Sequence, residues 1–145
     1  MKTLERNKVK FWYCTVKTQN GEAVKREIVD ENGNATGEYI VMYNNLVAMR
    51  ANVSPATGQS NAEQFGNLEN YDKVIVTDDL KCPIDESSVL FIDKVPEFTQ
   101  VITHVPTAIT TETETVSVPA FDYTVRRIAK SLNSVSIAVR KVNVS

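Results

Sequence analysis

The sequence predicts an all-β fold, a small β-barrel or sandwich of about seven short strands with a protruding N-terminal hairpin and two long loops. Three observations carry this. Apolar and polar residues alternate over short runs, the period of a half-buried strand. Turn formers punctuate those runs, chiefly Asn-Gly pairs, prolines and Asp-rich clusters. No window holds a sustained apolar stripe at helical spacing.

Residues 9–17 form the first strand. Val9, Phe11 and Tyr13 share one face, and Trp12, Cys14 and Val16 share the other. Apolar side chains on both faces predict a strand that is covered twice or carries an interface on its outer side. Trp12 and Tyr13 read as core or interface anchors. Gln19-Asn20-Gly21 is a turn, and residues 23–29 are a weaker strand interleaved with charge. Asp30-Glu31-Asn32-Gly33-Asn34 predicts a hairpin, with Asn-Gly suited to the positive φ angles of a type I′ turn. Residues 38–43 return as its partner, and this hairpin is expected to stand partly in solvent.

Val47, Met49, Ala51 and Val53 alternate with Ala48, Arg50 and Asn52, which gives a half-buried strand ended by Pro55. A long loop follows, in which Ser60-Asn61-Ala62-Glu63 matches a capping box for one short helical turn. Loops of such length in small domains are functional or disordered. Residues 72–77 and 89–93 are core strands, separated by Asp78-Asp79, a Lys81-Cys82-Pro83 break and an Asp85-Glu86-Ser87-Ser88 turn. The segment 97–119 holds Pro106, Pro119 and a Thr-Glu repeat over 110–115. It is expected to be an extended edge strand or a solvated arm. Residues 123–129 and 134–142 close the chain as a hairpin through Ser131-Leu132-Asn133.

At 145 residues the chain is read as a single β-barrel domain. Within it, 8–53 supply N-terminal strands and hairpin, 54–71 the long loop, 72–93 core strands, 97–119 the Thr-rich excursion and 121–142 the C-terminal hairpin. Sixteen Lys and Arg against eighteen Asp and Glu leave a formal charge of -2. A duplex-coating protein needs a strong positive excess, so tight general DNA binding is not expected. A channel wall past which DNA slides is compatible with this balance. Two cysteines and one histidine fall short of the ligand set of a structural zinc site. Neither a secretory leader nor a bilayer-length apolar run is read at the N-terminus, so reduced thiols, no membrane association and assembly in the cytoplasm are expected.

Candidate sites are few. His104 lies in the excursion without an obvious partner, and solvated or structural use outweighs general-base chemistry. Asp78-Asp79 with Asp85-Glu86 reads as strand-capping turns before it reads as a divalent metal site. No nucleophile–base set is apparent, so no enzyme activity, cofactor or metal is expected. The interaction candidates are the long loop, namely Ser54, Thr57, Gln59, Asn61, Glu63, Gln64, Phe65, Asn67 and Glu69, and a basic face of Arg126, Arg127, Lys130, Arg140 and Lys141.

A family resemblance sharpens this. Its carrying residues are Ala51-Asn52-Val53-Ser54-Pro55-Ala56-Thr57-Gly58, Phe65-Gly66, Tyr71-Asp72-Lys73-Val74-Ile75-Val76-Thr77-Asp78-Asp79 and Ser88-Val89-Leu90-Phe91-Ile92-Asp93. The closing Tyr123-Thr124-Val125-Arg126-Arg127-Ile128-Ala129 and Asn133-Ser134-Val135-Ser136-Ile137-Ala138-Val139-Arg140-Lys141-Val142 complete the set. In order and texture these resemble the head–tail joining proteins of tailed bacteriophages, the head-completion or stopper proteins of the neck, and the prophage type of Gram-positive hosts in particular. The match runs from Asn45 to the C-terminus. The N-terminal hairpin and the Thr-rich segment are longer than in the minimal family barrel.

The resemblance implies a virion protein forming a homo-oligomeric ring between the portal or adaptor ring and the tail. That ring closes the DNA-filled head, docks tail proteins, and lets genomic DNA pass without sequence specificity. The loop 54–70 then faces the channel or a neighbouring ring. Two alternatives stay open. One is a tail terminator or other tail-ring component. The other is an oligonucleotide-binding barrel, for which Phe11, Trp12 and Tyr13 with Lys8, Lys10 and Lys17 are the relevant residues.

Overall fold

The structure, a computed structural model, describes residues 8–55, 71–105 and 112–142. Among the described residues every regular element is a strand: β1 (Lys8–Cys14), β2 (Thr18–Gln19), β3 (Glu22–Ala23), β4 (Lys25–Val29), β5 (Ala35–Val41), β6 (Val47–Pro55), β7 (Lys73–Thr77), β8 (Val89–Phe91), β9 (Phe98–Val105), β10 (Glu112–Pro119), β11 (Tyr123–Lys130) and β12 (Val135–Lys141). The all-β expectation holds, and the strands outnumber the expected seven. By its contacts the chain divides into two compact units. The described residues of Met1–Thr15, Leu46–Val95 and Phe121–Ser145 form the first unit, and Val16–Asn45 with those of Pro96–Ala120 form the second. The second unit is thus made of two insertions into connections of the first.

The first unit is a closed six-stranded barrel in the order β1-β6-β7-β12-β11-β8, antiparallel at every seam. Closure removes the open edges that recruit other chains. Its interior follows from alternation. Phe11 and Tyr13, Ala51, Ile75, Leu90, Tyr123 and Val125, and Val135, Ile137 and Val139 point inward and are buried together, with Met49, Val53 and Ile128 packed against them. Ile84 and half-buried Cys82 join this core from the connection between β7 and β8. The opposite faces are partly covered as well. Val74 and Ala138 form a second cluster with Tyr71, Val76 and Ala129. Cys14, Val89 and Phe91 alternate with inward residues and are also buried. The double-sided apolar pattern of β1 therefore has its counterpart in burial on both faces.

The second unit contains a four-stranded sheet in the order β10-β9-β4-β5 and the small β2-β3 hairpin. Of the two alternatives for the Thr-rich segment, its described residues take the edge strand, with β10 at one side of this sheet. β9 and β10 pair over their whole length, and Ile28 of β4 pairs with Thr103 of β9. Thr103 is fully buried, and its hydroxyl donates to the Glu114 carbonyl at 3.1 Å. Arg26 bridges to Glu114 at 2.6 Å across the intervening strand.

The two Asn-Gly turns exchange roles relative to expectation. Asn20 (φ 54) and Gly21 (φ 81) both take positive φ, so the I′-type turn joins β2 to β3. At the other turn only Gly33 has positive φ. There the Asp30 carboxylate accepts from the backbone N–H groups of Asn32 and Asn34, and Gly33 N–H donates to the Asp30 carbonyl. Asp30 thus fixes a three-residue loop with a single left-handed glycine.

Candidate interaction surface

Barrel geometry sorts the predicted basic residues. β11 carries one extra residue relative to β12, between the pairs Val125↔Val139 and Arg127↔Ala138. Val125 and Ile128 both point into the core, so the two residues between them both point out. This bulge sets Arg126 and Arg127 side by side on the outer wall. Arg140 follows inward Val139 on β12 and shares that wall, about 7 Å along the strand from Ala138. All three arginines are exposed, and none makes an ion pair among the described residues. Lys130 and Lys141 do not join them. They lie at opposite ends of the hairpin, paired with Val135 and Tyr123, about 20 Å apart. The five cations expected on one face resolve into an arginine triplet and two separated lysines.

Of the loop candidates, Ser54 is exposed near the end of β6 and pairs with Val74. Thr57, Gln59, Asn61, Glu63, Gln64, Phe65, Asn67 and Glu69 lie outside the described residues, as does the Ser60–Glu63 capping box. His104 lies on β9 in the second unit, where it lines a hollow of about 270 Å³ with Lys25, Arg26, Glu27 and Tyr39. The carboxylate of Glu27 accepts from Gly37 N–H there. Asp79 accepts from Lys81 N–H, and Asp85 accepts from Ser87 N–H and the Ser88 hydroxyl. These carboxylates build their own turns. Among the described residues no group of three or more His, Cys, Asp or Glu is placed to hold a metal ion. Cys14 and Cys82 are free thiols, and burial pushes both up from the usual thiol range.

Sequence reading missed one polar cluster, at the barrel end where β7 begins. Tyr123 donates its hydroxyl to Asp93 at 2.6 Å, and Lys73 Nζ donates to the same carboxylate at 2.7 Å. The Lys73 ammonium also lies 5.5 Å from the centre of the Tyr123 ring. Burial opposes ionisation of Asp93, but the hydrogen bonds from Lys73 and Tyr123 and the charges of Lys73 and Lys141 outweigh it and hold its carboxyl below the usual range. Burial and the Asp93 hydrogen bond push the Tyr123 phenol well above its ordinary value, so it remains a donor. Beneath lies buried Asp122, whose carboxylate accepts from Ile92 N–H and Asp93 N–H, both at 2.9 Å. The residues lie too far apart in sequence for spacing to announce them. Together they clasp the exit of β8 to the starts of β7 and β11.

At the other end, residues 78–88 run between β7 and β8 with Ile84 tucked into the core. Thr77 pairs with Val135 there, which sets the turns carrying Leu80 and Leu132 side by side. Leu80 is 49% and Leu132 is 89% exposed. Phe11 and Tyr13 point inward, so the aromatic run of β1 offers one partly exposed ring, Trp12, with Lys10 Nζ 5.3 Å from its centroid. Comparison with protein-family models, with curated proteins and with solved structures found no match to this chain.

Proposed function

We propose that this chain is a structural protein of the neck of a tailed phage, forming a homo-oligomeric ring between portal or adaptor and tail. In this reading it works in the virion, closes the filled head and presents the surface on which the tail docks. One observation carries the proposal. The chain puts its core into an edge-free barrel and spends its two long connections, residues 16–45 and 96–120, on a separate sheet. Such a body supports many contacts through appendages without offering the barrel itself for uncontrolled pairing. The second sheet ends in β5 and β10, and both ends are blunted. β5 is interrupted by a bulge with Gly37 at φ 80, and β10 carries Glu112 and Glu114 and stops at Pro119. The inward direction of Phe11 and Tyr13 favours this reading over an oligonucleotide-binding barrel, which needs several exposed aromatic rings beside cations.

The test is electron microscopy of assembled particles carrying a tagged copy. The expected result is label in a single ring between head and tail. Label along the tail tube or at its upper end instead would move the chain to the tail-component alternative, and particles without the chain would sink the proposal.

A further inference from the structure

We propose that Asn20 is a site of spontaneous deamidation, and that its counterpart Asn32 is held back by Asp30. The inference is independent of the ring reading. Asn20-Gly21 and Asn32-Gly33 are the two Asn-Gly pairs of the chain. In such a pair the glycine nitrogen can approach the side-chain amide carbon of the asparagine, because no Cβ stands in the way. Both pairs are exposed, and nothing lies within 4 Å of the point where a Cβ would stand on either glycine.

The chemistry needs only water and a base. The base takes the proton from Gly21 N–H, and that nitrogen bonds to Asn20 Cγ. The Cγ–Nδ2 bond breaks, and Nδ2 takes up a proton and leaves as ammonia. One water opens the cyclic succinimide that remains. Attack at Cγ restores the original chain with aspartate in place of asparagine. Attack at the backbone carbonyl carbon of Asn20 diverts the chain through Cγ as isoaspartate. One water is consumed, one ammonia is released, and a neutral amide becomes a carboxylate.

The two pairs differ in what holds them. At Asn32 the attacking atom is occupied, since Gly33 N–H donates to the Asp30 carbonyl at 3.0 Å. The Asp30 carboxylate accepts from Asn32 N–H at 2.9 Å and from Asn34 N–H at 2.8 Å, and Asp30 N–H donates to the Asn34 carbonyl at 2.9 Å. These bonds fix the loop and set a negative charge where the glycine nitrogen has to lose its proton. At Asn20 neither brake exists. Gly21 N–H has no hydrogen-bond partner among the described residues, and no side chain of residues 18–23 makes a hydrogen bond there. The hairpin is held by the pairs Thr18↔Ala23 and Gln19↔Glu22, all four residues exposed. Its base is tied by Val24 N–H to the Lys17 carbonyl at 2.9 Å, so residues 18–23 can open on their own. Opening is the controlling step. Asn20 is left-handed at φ 54, which turns Gly21 N away from Cγ until the peptide rotates. Isoaspartate adds one carbon to the main chain inside a two-residue turn, so the register of β2 and β3 is expected to be lost after conversion.

The experiment incubates the full chain at mildly alkaline pH in heavy-oxygen water, digests it with trypsin in ordinary water and reads the labelled carboxylates by peptide mass spectrometry. Cleavage after Lys17 and Lys25 releases residues 18–25, in which Asn20 is the single asparagine. Asn32 falls in the peptide 27–50, where fragment ions separate it from Asn34, Asn44 and Asn45. Asn20 is expected to convert about 10-fold faster than Asn32, or more, because the Asp30 loop has additional hydrogen bonds to break. Asp30→Ala is expected to raise the Asn32 rate towards that of Asn20 and leave Asn20 unchanged, with circular dichroism confirming the fold. In the urea-unfolded chain the two rates are expected to converge.

Equal rates in the folded chain overturn the proposal, as does an Asn20 that stays intact while the unfolded chain converts. An Asn32 rate unmoved by Asp30→Ala overturns the part given to Asp30. A faster Asn20 that persists in the unfolded chain assigns the difference to flanking sequence and overturns the part given to the turns.

Discussion

Replacing Asp122 by alanine tests how the barrel end is held. The Asp122 side chain is buried, and its two oxygens accept from two successive backbone N–H groups, Ile92 and Asp93, each at 2.9 Å. Its own N–H donates to the Leu90 carbonyl, and its carbonyl accepts from Val142 N–H. One residue therefore joins the exit of β8, the start of β11 and the end of β12. A hydrogen bond to a charged group contributes about 1.5–3 kcal/mol, and alanine removes two of them. Ile92 is half-buried and Asp93 is exposed, so water recovers part of the loss. The expected destabilisation is about 2–4 kcal/mol, or about 6–12 °C in melting temperature for a chain of this size. The assay is denaturant unfolding followed by fluorescence of Trp12, the one tryptophan, which lies on barrel strand β1. Ser54→Ala, at an exposed position, is the control and should stay within about 0.5 kcal/mol of wild type. A loss for Asp122→Ala no larger than the control's would refute the reasoning, because the paired N–H groups would then be satisfied without it.

Asp93→Asn weakens the clasp at neutral pH by about 1 kcal/mol or less, since the carboxylate is partly exposed and screened. The folded carboxyl titrates below its unfolded value near 3.9, so its contribution is full above that value and fades as pH falls through the folded one. Melting curves should show the variant's deficit constant at neutral pH and shrinking in acid; a deficit unchanged at low pH would discard ionisation as its source. Gly21→Ala should destabilise the β2-β3 turn by about 1 kcal/mol for conformational reasons alone, as nothing lies within 4 Å of the added carbon. A stability curve overlying wild type would contradict that. Deleting residues 58–66 should leave circular dichroism of the barrel intact and block head–tail joining in a complementation assay, and normal infectious yield would count against the loop's assigned role.

The barrel was legible in the sequence because its strands carry the core, and a core imposes a period of two. Phe11 and Tyr13, Met49 to Val53, and Val135 to Val139 all show it. The second sheet was much harder to read. β4 (KREIV) is mostly half-buried but charged over its first three residues, and β10 (ETETVSVP) is exposed along most of its length, so polar residues occupy both faces and the period fades. Their pairing also depends on β4 meeting β9, more than seventy residues later in the chain, which no local pattern encodes. The arginine bulge left a trace that a strict alternation count passes over. In Val125-Arg126-Arg127-Ile128 two polar residues, where a regular strand allows one, separate inward apolar ones. An interrupted period inside an otherwise clean strand is the signature of an extra residue. The Lys73–Asp93–Tyr123 clasp left no such trace, since each member is an ordinary surface residue type until closure of the barrel brings them together.

The two ends of the barrel are built on different principles. At the clasped end the polar groups are consumed internally: Asp93 holds Lys73 and Tyr123, Asp122 holds two backbone groups, and Asp72 accepts from Lys141 N–H at 2.7 Å. Binding there has to break paired charges. At the other end Asp79 shapes its turn, while Leu80 and Leu132 are presented outward. A hairpin tip gains nothing in the isolated chain from an almost fully exposed leucine, because Ser131 and Ser134 already close that turn through their own hydrogen bonds. The hydrogen bonds that fix the barrel are thus gathered at the clasped end, and its exposed apolar side chains at the other.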